Sequence, residues 1–242
     1  MFEYDDIKIN YKEVGSKRKD SLIFLHGWGQ NINMMEPLAK SFYEDYHVLI
    51  LDLPGFGLSE EPKKVWLLSD YVEMLYSLVQ KLKLKNITII GHSFGGKIAL
   101  LYALSHPVEK LVLLASPYKK RMKELTNKQK ILKKLSKVPV LSLFADFAKK
   151  HIGSTDYRNS TPMMREILVK HINTDISNEI KKIKCPTLII WGTKDEAVSY
   201  EDGQELEKII PGSGLVTYEG CTHYAYLERL NQTINVLKSF LN

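Results

Sequence analysis

The stretch Ile87-Thr88-Ile89-Ile90-Gly91-His92-Ser93-Phe94-Gly95 decides the fold of this chain. An apolar run of β-branched residues leads directly into a Gly-x-Ser-x-Gly pattern, and a helical pattern follows over 95–105. A serine hydroxyl can attack a substrate when it projects from a tight turn, and the two glycines let strand and helix cross there without Cβ contacts. The stretch therefore predicts a strand, a nucleophile elbow at Ser93 and a helix. A glycine-rich turn that binds phosphate at the helix N-terminus is the alternative interpretation.

Similar apolar runs recur on both sides of this stretch, as expected for buried parallel strands. They lie at 22–25, 48–51, 111–114 and 187–191, with a weaker run at 214–218, and residues 2–14 alternate as in an antiparallel edge hairpin. Helical patterns separate them at 34–43, 69–82, 95–105, 204–209 and 224–241. This alternation predicts an α/β fold, with a mostly parallel twisted sheet flanked by helices.

The alternation is interrupted over 117–184, where no strand pattern is evident. Connections in a strand–helix repeat usually have about two to six residues, so this gap predicts an inserted unit. We interpret it as a helical lid inserted after the sixth strand, in a core formed by 1–116 and 185–242. Its apolar side chains predict an apolar substrate pocket; they are Leu141, Leu143, Phe144, Phe147, Met163 and Met164.

The composition is that of a folded globular protein. Of 242 residues, 44% are hydrophobic and 26% are charged, which argues against disordered and fibrous classes. Cys185 and Cys221 are far apart in sequence, so neither a zinc site nor a disulfide framework is predicted. The chain begins without a signal-peptide pattern and has no apolar run long enough for a membrane span, so we expect a cytoplasmic protein.

The positive charge is concentrated in one segment. The formal net charge is +6, but residues 118–150 alone carry 11 basic and two acidic residues. This Lys-rich segment could be a solvated helical face, could dock an acidic partner such as an acyl carrier protein, or could attract anionic substrates and lipid headgroups. Nucleic-acid binding is not expected, because no aromatic residues are interleaved with the basic residues of 119–137 and no recognised nucleic-acid motif is present.

A nucleophilic serine needs a base that takes its proton, and the base needs a carboxylate that fixes its tautomer. Asp195 follows the run 187–191, and His223 follows the run 214–218. The carboxyl ends of parallel strands meet at one sheet edge, where Ser93 also lies. We therefore predict a catalytic triad of Ser93, His223 and Asp195, with Glu196 as the competing candidate for the acid.

An oxyanion hole needs two backbone N–H donors beside the nucleophile. Phe94, directly after Ser93, would supply one amide, and Trp28 in His26-Gly27-Trp28-Gly29 would supply the other, because this motif follows the third predicted strand. The remaining histidines, including His171 in the predicted lid, are interpreted as surface or packing residues.

Five motifs stand in the order found in the α/β-hydrolase superfamily, which this chain resembles along nearly its whole length outside the predicted lid. They are His26-Gly27-Trp28-Gly29, Asp52-Leu53-Pro54-Gly55-Phe56-Gly57, Gly91-His92-Ser93-Phe94-Gly95-Gly96, Gly192-Thr193-Lys194-Asp195 and Gly220-Cys221-Thr222-His223. The first two also resemble the esterases that cleave the methyl ester of pimeloyl-carrier protein. The resemblance implies that the Asp52 loop has a structural role. Serine at the position where haloalkane dehalogenases and epoxide hydrolases carry aspartate argues against both of those chemistries.

Together these features predict a serine hydrolase that cleaves carboxylic esters through an acyl-enzyme, with a small-molecule acyl ester as substrate and no metal or organic cofactor. A thioesterase, an aminopeptidase or a C–C bond hydrolase would use the same triad, because the triad fixes the reaction type and leaves the acyl group open. A non-catalytic ligand-binding protein of this fold is the alternative from a different class.

Overall fold

The sheet that carries the predicted elbow has seven strands, of which six run parallel. We describe it from a computed structural model, for residues 1–16, 18–120 and 155–242. The strands in these ranges are β1 (Phe2–Tyr4), β2 (Ile7–Ile9), β3 (Tyr11–Val14), β4 (Ser21–Leu25), β5 (His47–Leu51), β6 (Ile87–His92), β7 (Lys110–Leu114), β8 (Thr187–Gly192) and β9 (Ser213–Tyr218).

The strand order in the main sheet is β3-β5-β4-β6-β7-β8-β9, and only the pairing of β3 with β5 is antiparallel. Every residue of β4, β5, β6 and β8 is buried, which explains why these strands read as uninterrupted apolar runs. The predicted α/β class and the mostly parallel sheet are confirmed.

The N-terminal residues differ from the predicted edge hairpin. Strands β1 and β2 form a separate two-stranded antiparallel sheet, and β3 alone is the antiparallel edge of the main sheet. Residues 2–14 thus contain three strands instead of two. Trp28 therefore follows the fourth strand, and the predicted insertion follows the seventh strand, β7.

Helices cover both faces of the sheet. The described residues contain α1 (Ile32–Ala39), α2 (Leu68–Leu82), α3 (Phe94–Ser105), α4 (Thr155–Asn159), α5 (Pro162–Asn173), α6 (Tyr200–Ile209), α7 (Ala225–Glu228) and α8 (Leu230–Leu241). The helix predicted over 224–241 is interrupted, because Arg229 has non-helical backbone angles (φ −119°, ψ 45°). None of the helices in the described ranges is both long and apolar enough to cross a membrane.

Two apolar clusters lie on opposite faces of the sheet. Side chains of α2, α3, α5 and α6 form one of them, represented by Leu75, Ile98, Ile167 and Leu206. Side chains of α1, α7 and α8 form the other, represented by Met35, Tyr226 and Leu237. The sheet is thus sandwiched, and its carboxyl edge carries the loops with the predicted site residues.

The predicted division into core and lid stays a prediction. Residues 121–154, with Leu141, Leu143, Phe144 and Phe147, lie outside the described residues. Helices α4 and α5 belong to the predicted lid, and Met164 of α5 is buried against the loop after β5.

Candidate active site

Ser93 lies at the sharp turn between β6 and α3. Its backbone has φ 50° and ψ −112°, a positive φ that non-glycine residues rarely adopt. The Ser93 N–H donates to the Leu114 carbonyl at the end of β7 (2.9 Å), and the first turn of α3 closes on the Ser93 carbonyl. Such strain persists only where the surroundings impose it, and here the two neighbouring elements hold the turn.

The two flanking glycines allow a close approach of main chain to main chain. A Cβ on Gly91 would lie 2.6 Å from the Gly95 carbonyl oxygen, and a Cβ on Gly95 would lie 2.5 Å from the Leu25 carbonyl oxygen. Gly95 also donates its N–H to the carbonyl of His26 (3.1 Å). The elbow thus touches the loop that contains Trp28.

Asp195 and His223 are hydrogen-bonded to each other. His223 Nδ1 lies 2.7 Å from Asp195 Oδ2, and the Asp195 carboxylate is fully buried while the imidazole is 14% exposed. The other carboxylate oxygen, Oδ1, accepts the N–H groups of Ala197 (2.8 Å) and Val198 (2.9 Å). Both oxygens are therefore occupied, and the carboxylate is fixed in one orientation toward the imidazole.

The two loops that carry this pair are in contact. A Cβ on Gly192 would lie 2.5 Å from the Thr222 carbonyl oxygen, and Lys194 donates its N–H to the carbonyl of Cys221 (2.9 Å). The Glu228 carboxylate accepts both the hydroxyl and the N–H of Thr222, which fixes the residue before His223. Cys221 itself is buried in an apolar cluster.

Glu196, the competing candidate for the acid, is exposed. Within the described part of the chain, the carboxylate bonded to His223 belongs to Asp195. The ring of His223 lies 4.7 Å from that of His92, the residue before Ser93. The structure thus brings the acid, the imidazole and the elbow to one edge of the sheet.

Trp28 and Phe94, the two residues predicted to supply the oxyanion donors, lie next to each other in the structure. The rings of Trp28 and Phe94 are in edge contact, with centroids 5.1 Å apart. Among the residues that the structure describes, neither backbone N–H group donates a hydrogen bond. Backbone N–H groups that make no bond to the described residues and lie beside an elbow are suited to bind a developing oxyanion.

The Asp52 carboxylate holds the loops around this edge together. Its Oδ1 accepts the N–H of Ile32 (2.7 Å), and its Oδ2 accepts the N–H of Leu58 (2.9 Å) and the side-chain amide of Asn10 (2.8 Å). Gly57, with φ 58°, packs directly on this carboxylate. The contacts fit the structural role implied for the Asp52 loop.

Three histidines near the site are buried in the neutral form. Burial lowers the pKa of His26 to about 4 and that of His171 to about 3. For His92, burial and the nearby His223 ring hold the pKa well below its usual range. His26 Nε2 accepts the N–H of Leu53 (2.9 Å), so its Nδ1–H donates to the Gly27 carbonyl (2.7 Å).

These histidines predict a loss of stability in mild acid. Their pKa values are lower in the folded chain than in the unfolded chain, so the unfolded chain binds more protons below about pH 6.5. The free energy of unfolding therefore decreases as the pH is lowered. Between pH 6.5 and 5.5 each histidine should cost about 1 kcal/mol, and the three together about 3 kcal/mol. Urea unfolding at the two pH values measures the change. Equal free energies of unfolding would contradict it, and His26→Gln should remove about one third of the pH dependence.

Three residues near the site were not singled out by the sequence. Gln30 Oε1 accepts the Gly27 N–H (3.0 Å) and lies 3.2 Å from His92 Nδ1, while His92 Nε2 lies 3.1 Å from the His223 carbonyl oxygen. His171 stacks on Trp28, although it was interpreted only as a surface or packing residue. Lys97 is buried in α3. Apart from the bond between Gln30 and Gly27, these contacts join residues far apart in sequence, so no local pattern indicates them.

Comparison with known proteins gives the same assignment over most of the chain. Residues 20–139 match the family described as alpha/beta hydrolase fold, and residues 169–242 match the family described as TAP-like protein. Lipase 1 of Psychrobacter immobilis is 29% identical over 96% of this chain and 80% of its own length. A monoacylglycerol lipase of Mus musculus is 28% identical over 98% of this chain and 80% of its own.

Solved structures agree in fold. An esterase from Exiguobacterium antarcticum superposes with a TM-score of 0.78 at 24% identity, over 98% of this chain and 97% of the other. A bromoperoxidase from Bacillus anthracis gives 0.77 at 23% identity, over 97% and 95%. By sequence and by fold, this chain is a hydrolase of the α/β-hydrolase superfamily.

Proposed function

We propose that this hydrolase cleaves carboxylic esters through an acyl-enzyme formed on Ser93. The observation that carries the proposal is the Asp195–His223 hydrogen bond beside a serine in a strained elbow. Asp195 accepts the Nδ1–H of His223, so the other ring nitrogen, Nε2, is free to act as a base. A serine, a base and an orienting acid are the parts needed for acyl transfer.

The reaction proceeds in two half-reactions. His223 Nε2 takes the Ser93 proton as Oγ attacks the ester carbonyl, and the amides of Trp28 and Phe94 bind the oxyanion. The imidazolium then protonates the leaving alcohol, and the acyl-enzyme remains. Water attacks it with His223 again as base, and Ser93 leaves with the proton. The chain supplies the nucleophile, the base and the oxyanion donors, so the proposal requires no metal or organic cofactor.

The surroundings of the elbow favour an apolar acyl group. The rings of Trp28, Phe56 and Phe94 pack edge to face, with centroids 4.9 to 6.3 Å apart. Met164 of α5 lies against the same loop as Phe56. The lipases and the esterase among the relatives and structural neighbours support an acyl ester as substrate.

Hydrolysis of p-nitrophenyl esters of increasing acyl length tests the proposal, with labelling of Ser93 by a fluorophosphonate as a second readout. We expect turnover of esters, stoichiometric labelling and a preference for chains longer than acetyl. A thioesterase, an amidase or a C–C bond hydrolase would be labelled but would turn over esters poorly. Absence of labelling would indicate the ligand-binding alternative and would contradict the proposal.

Docking of an acidic carrier protein on the Lys-rich segment stays a prediction, because residues 121–150 lie outside the described ranges. The structure changes the design of its test. Lys119, at the N-terminal end of the Lys-rich segment, forms ion pairs with Asp202 (2.8 Å) and Glu205 (2.6 Å) of α6. Its substitution would also break these two ion pairs, whereas Lys120 is exposed.

If the segment steers a carrier-linked ester, kcat/KM for that ester should fall steeply with salt, since exposed charges act through a screened field. The triple change Lys120→Gln, Arg121→Gln and Lys123→Gln should have the effect of high salt on the carrier substrate. A small neutral ester should change by less than about twofold, because such charges affect association more than chemistry. The matched control replaces Lys81, Lys83 and Lys85 with glutamine at the other edge of the sheet. Equal salt slopes for both esters would leave a solvated face as the interpretation.

A further inference from the structure

Lys97 lies in α3, one turn after Ser93, and its side chain is almost completely buried. The residue is 1% exposed. Its Nζ donates to the carbonyl oxygens of His171 (3.1 Å) and Thr174 (2.5 Å), at the C-terminal end of α5. No carboxylate forms an ion pair with Lys97 among the residues that the structure describes.

A buried lysine without a carboxylate is unusual and costly. Burial lowers the pKa of Lys97 to about 8, and the more distant Asp175 opposes this shift. The amine is placed at the C-terminus of a helix, where exposed carbonyls and the helix dipole favour a cation. It thus binds the end of α5 to the helix that begins at the elbow.

Helix α5 is attached at its other end as well. The Thr161 hydroxyl donates to Glu61 (2.8 Å) and also caps the helix by accepting the N–H of Met164 (3.2 Å). The Met164 side chain packs on the backbone of Gly55. Helix α5 is therefore fixed to the loop after β5 at one end and to α3 at the other.

The His171 ring connects the end of α5 to the candidate oxyanion hole. The ring is stacked on Trp28, with centroids 6.3 Å apart and planes 1° from parallel, and meets Phe94 edge-on at 4.7 Å. Its buried Nδ1 has no hydrogen-bond partner within the described ranges. The position of the ring thus depends on the backbone of His171, whose carbonyl is one of the two that Lys97 binds.

We propose that Lys97 is a positioning residue that holds the end of α5, and through the His171 ring fixes the two residues whose amides form the oxyanion hole. The inference rests on the proposed ester hydrolysis. Without Lys97 the ring would lose its anchor, and Trp28 and Phe94 would lose the surface against which they pack. A donor that is misplaced by a fraction of an ångström weakens binding of the oxyanion in the transition state more than binding of the substrate carbonyl. The loss should therefore fall on kcat.

The test replaces Lys97 with methionine, which keeps most of the apolar stem and removes the amine. The chain offers a matched control, because Lys110 also binds two carbonyls at a helix end, those of Phe240 (2.8 Å) and Leu241 (2.6 Å) in α8. Two readouts are taken on both variants. One is steady-state hydrolysis of a p-nitrophenyl ester together with the rate of fluorophosphonate labelling. The other is hydrogen exchange of the amides in 162–175 and in 230–242.

For Lys97→Met we expect kcat and the labelling rate to fall together by about tenfold, below the roughly 100-fold cost of removing an oxyanion donor outright, while KM changes by less than about threefold. Exchange in 162–175 should accelerate. Lys110→Met should accelerate exchange only in 230–242 and leave kcat within about twofold, because it acts through the end of a different helix. Should Lys97→Met fail to fold, His171→Ala should lower kcat and labelling in the same way while leaving the amine in place.

Faster exchange in 162–175 with unchanged kcat and labelling would overturn the positioning role. Unchanged exchange in that segment would overturn the attachment itself. A wild-type protein that turns over no ester would contradict the proposed function instead, and the exchange readout would still decide whether Lys97 holds α5.

Discussion

Ser93→Ala should abolish ester hydrolysis, with a loss of about 10⁶-fold in kcat. The loss is this large because a triad acts as a unit. Without Oγ no acyl-enzyme can form, so His223 and the oxyanion donors no longer contribute to that pathway. The fold should be retained, since the Ser93 side chain does not cap the helix that follows it. Kinetics on the purified variant, with fluorophosphonate labelling and thermal unfolding in parallel, make the measurement.

Two further variants sharpen this test. Ser116 is a buried serine next to the elbow, with its hydroxyl 3.3 Å from the Gly91 carbonyl oxygen, and Ser116→Ala should keep most of the activity. Ser93→Gly should be as inactive as Ser93→Ala but more stable by about 1 kcal/mol, because glycine adopts a positive φ without strain. Retention of more than a few per cent of activity in Ser93→Ala would contradict the assignment of the nucleophile.

The parallel part of the sheet could be predicted from the sequence because most of its strands are buried on both faces. The apolar runs of β4 to β8 are nearly continuous, whereas β9 is a partly exposed edge strand and has the weaker run. All six strand bounds agree with the predicted runs to within two residues. The N-terminal residues could not be predicted in the same way. Asp5 and Asp6 both have positive φ (48° and 58°) and form the turn of the β1–β2 hairpin, a turn that is usually marked by glycine or asparagine.

The β1–β2 hairpin packs against Trp66 and does not pair with the strands of the main sheet. The Tyr4 ring packs edge-on against Trp66 (5.9 Å), and the Trp66 indole N–H donates to Asp5 (3.2 Å). These partners are more than 60 residues apart, so alternation within 2–14 indicates strands without indicating which sheet they join. The structure supplies the long-range contact that decides it.

The candidate site could be predicted as far as its residues follow strands. Ser93, Asp195 and His223 lie in the loops that follow β6, β8 and β9, and parallel strands bring their carboxyl ends to one edge. The local sequence predicts Asp195 as the acid but leaves Glu196 beside it as a competitor, and the fold makes Asp195 the one that is buried and bonded to His223. The catalytic roles themselves remain proposals that the substitutions test.

The attachment of α5 could not be predicted. A lysine in a helical pattern is normally exposed, and Lys97 is buried only because α5 returns to α3 from 74 positions along the chain. His171 likewise has no neighbouring motif. The sequence therefore indicates the reacting groups, whereas the groups that hold them in place depend on tertiary contacts.

Asp195→Asn should lower kcat by about 10⁴-fold, because the imidazole would be held in the wrong tautomer. The two amides of Ala197 and Val198 donate to Asp195 Oδ1, so an asparagine must keep its carbonyl oxygen there to preserve both bonds. Its NH₂ group then occupies the position of Oδ2, 2.7 Å from His223 Nδ1. A donor at that position favours the tautomer in which Nδ1 accepts and Nε2 carries the proton, and such an imidazole cannot take the proton of Ser93.

Glu196→Gln is the matched control, since it makes the same chemical change in the adjacent residue. Glu196 is exposed, so its amide should leave kcat within about twofold of the wild type, as for most surface substitutions. Kinetics of both variants on one p-nitrophenyl ester, with thermal unfolding to verify the fold, distinguish the two carboxylates. A large loss in Glu196→Gln with little change in Asp195→Asn would transfer the acid role to Glu196. Comparable large losses in both would mean that the His223 tautomer depends on the whole loop after β8, and the specific role of the Asp195 carboxylate would be wrong.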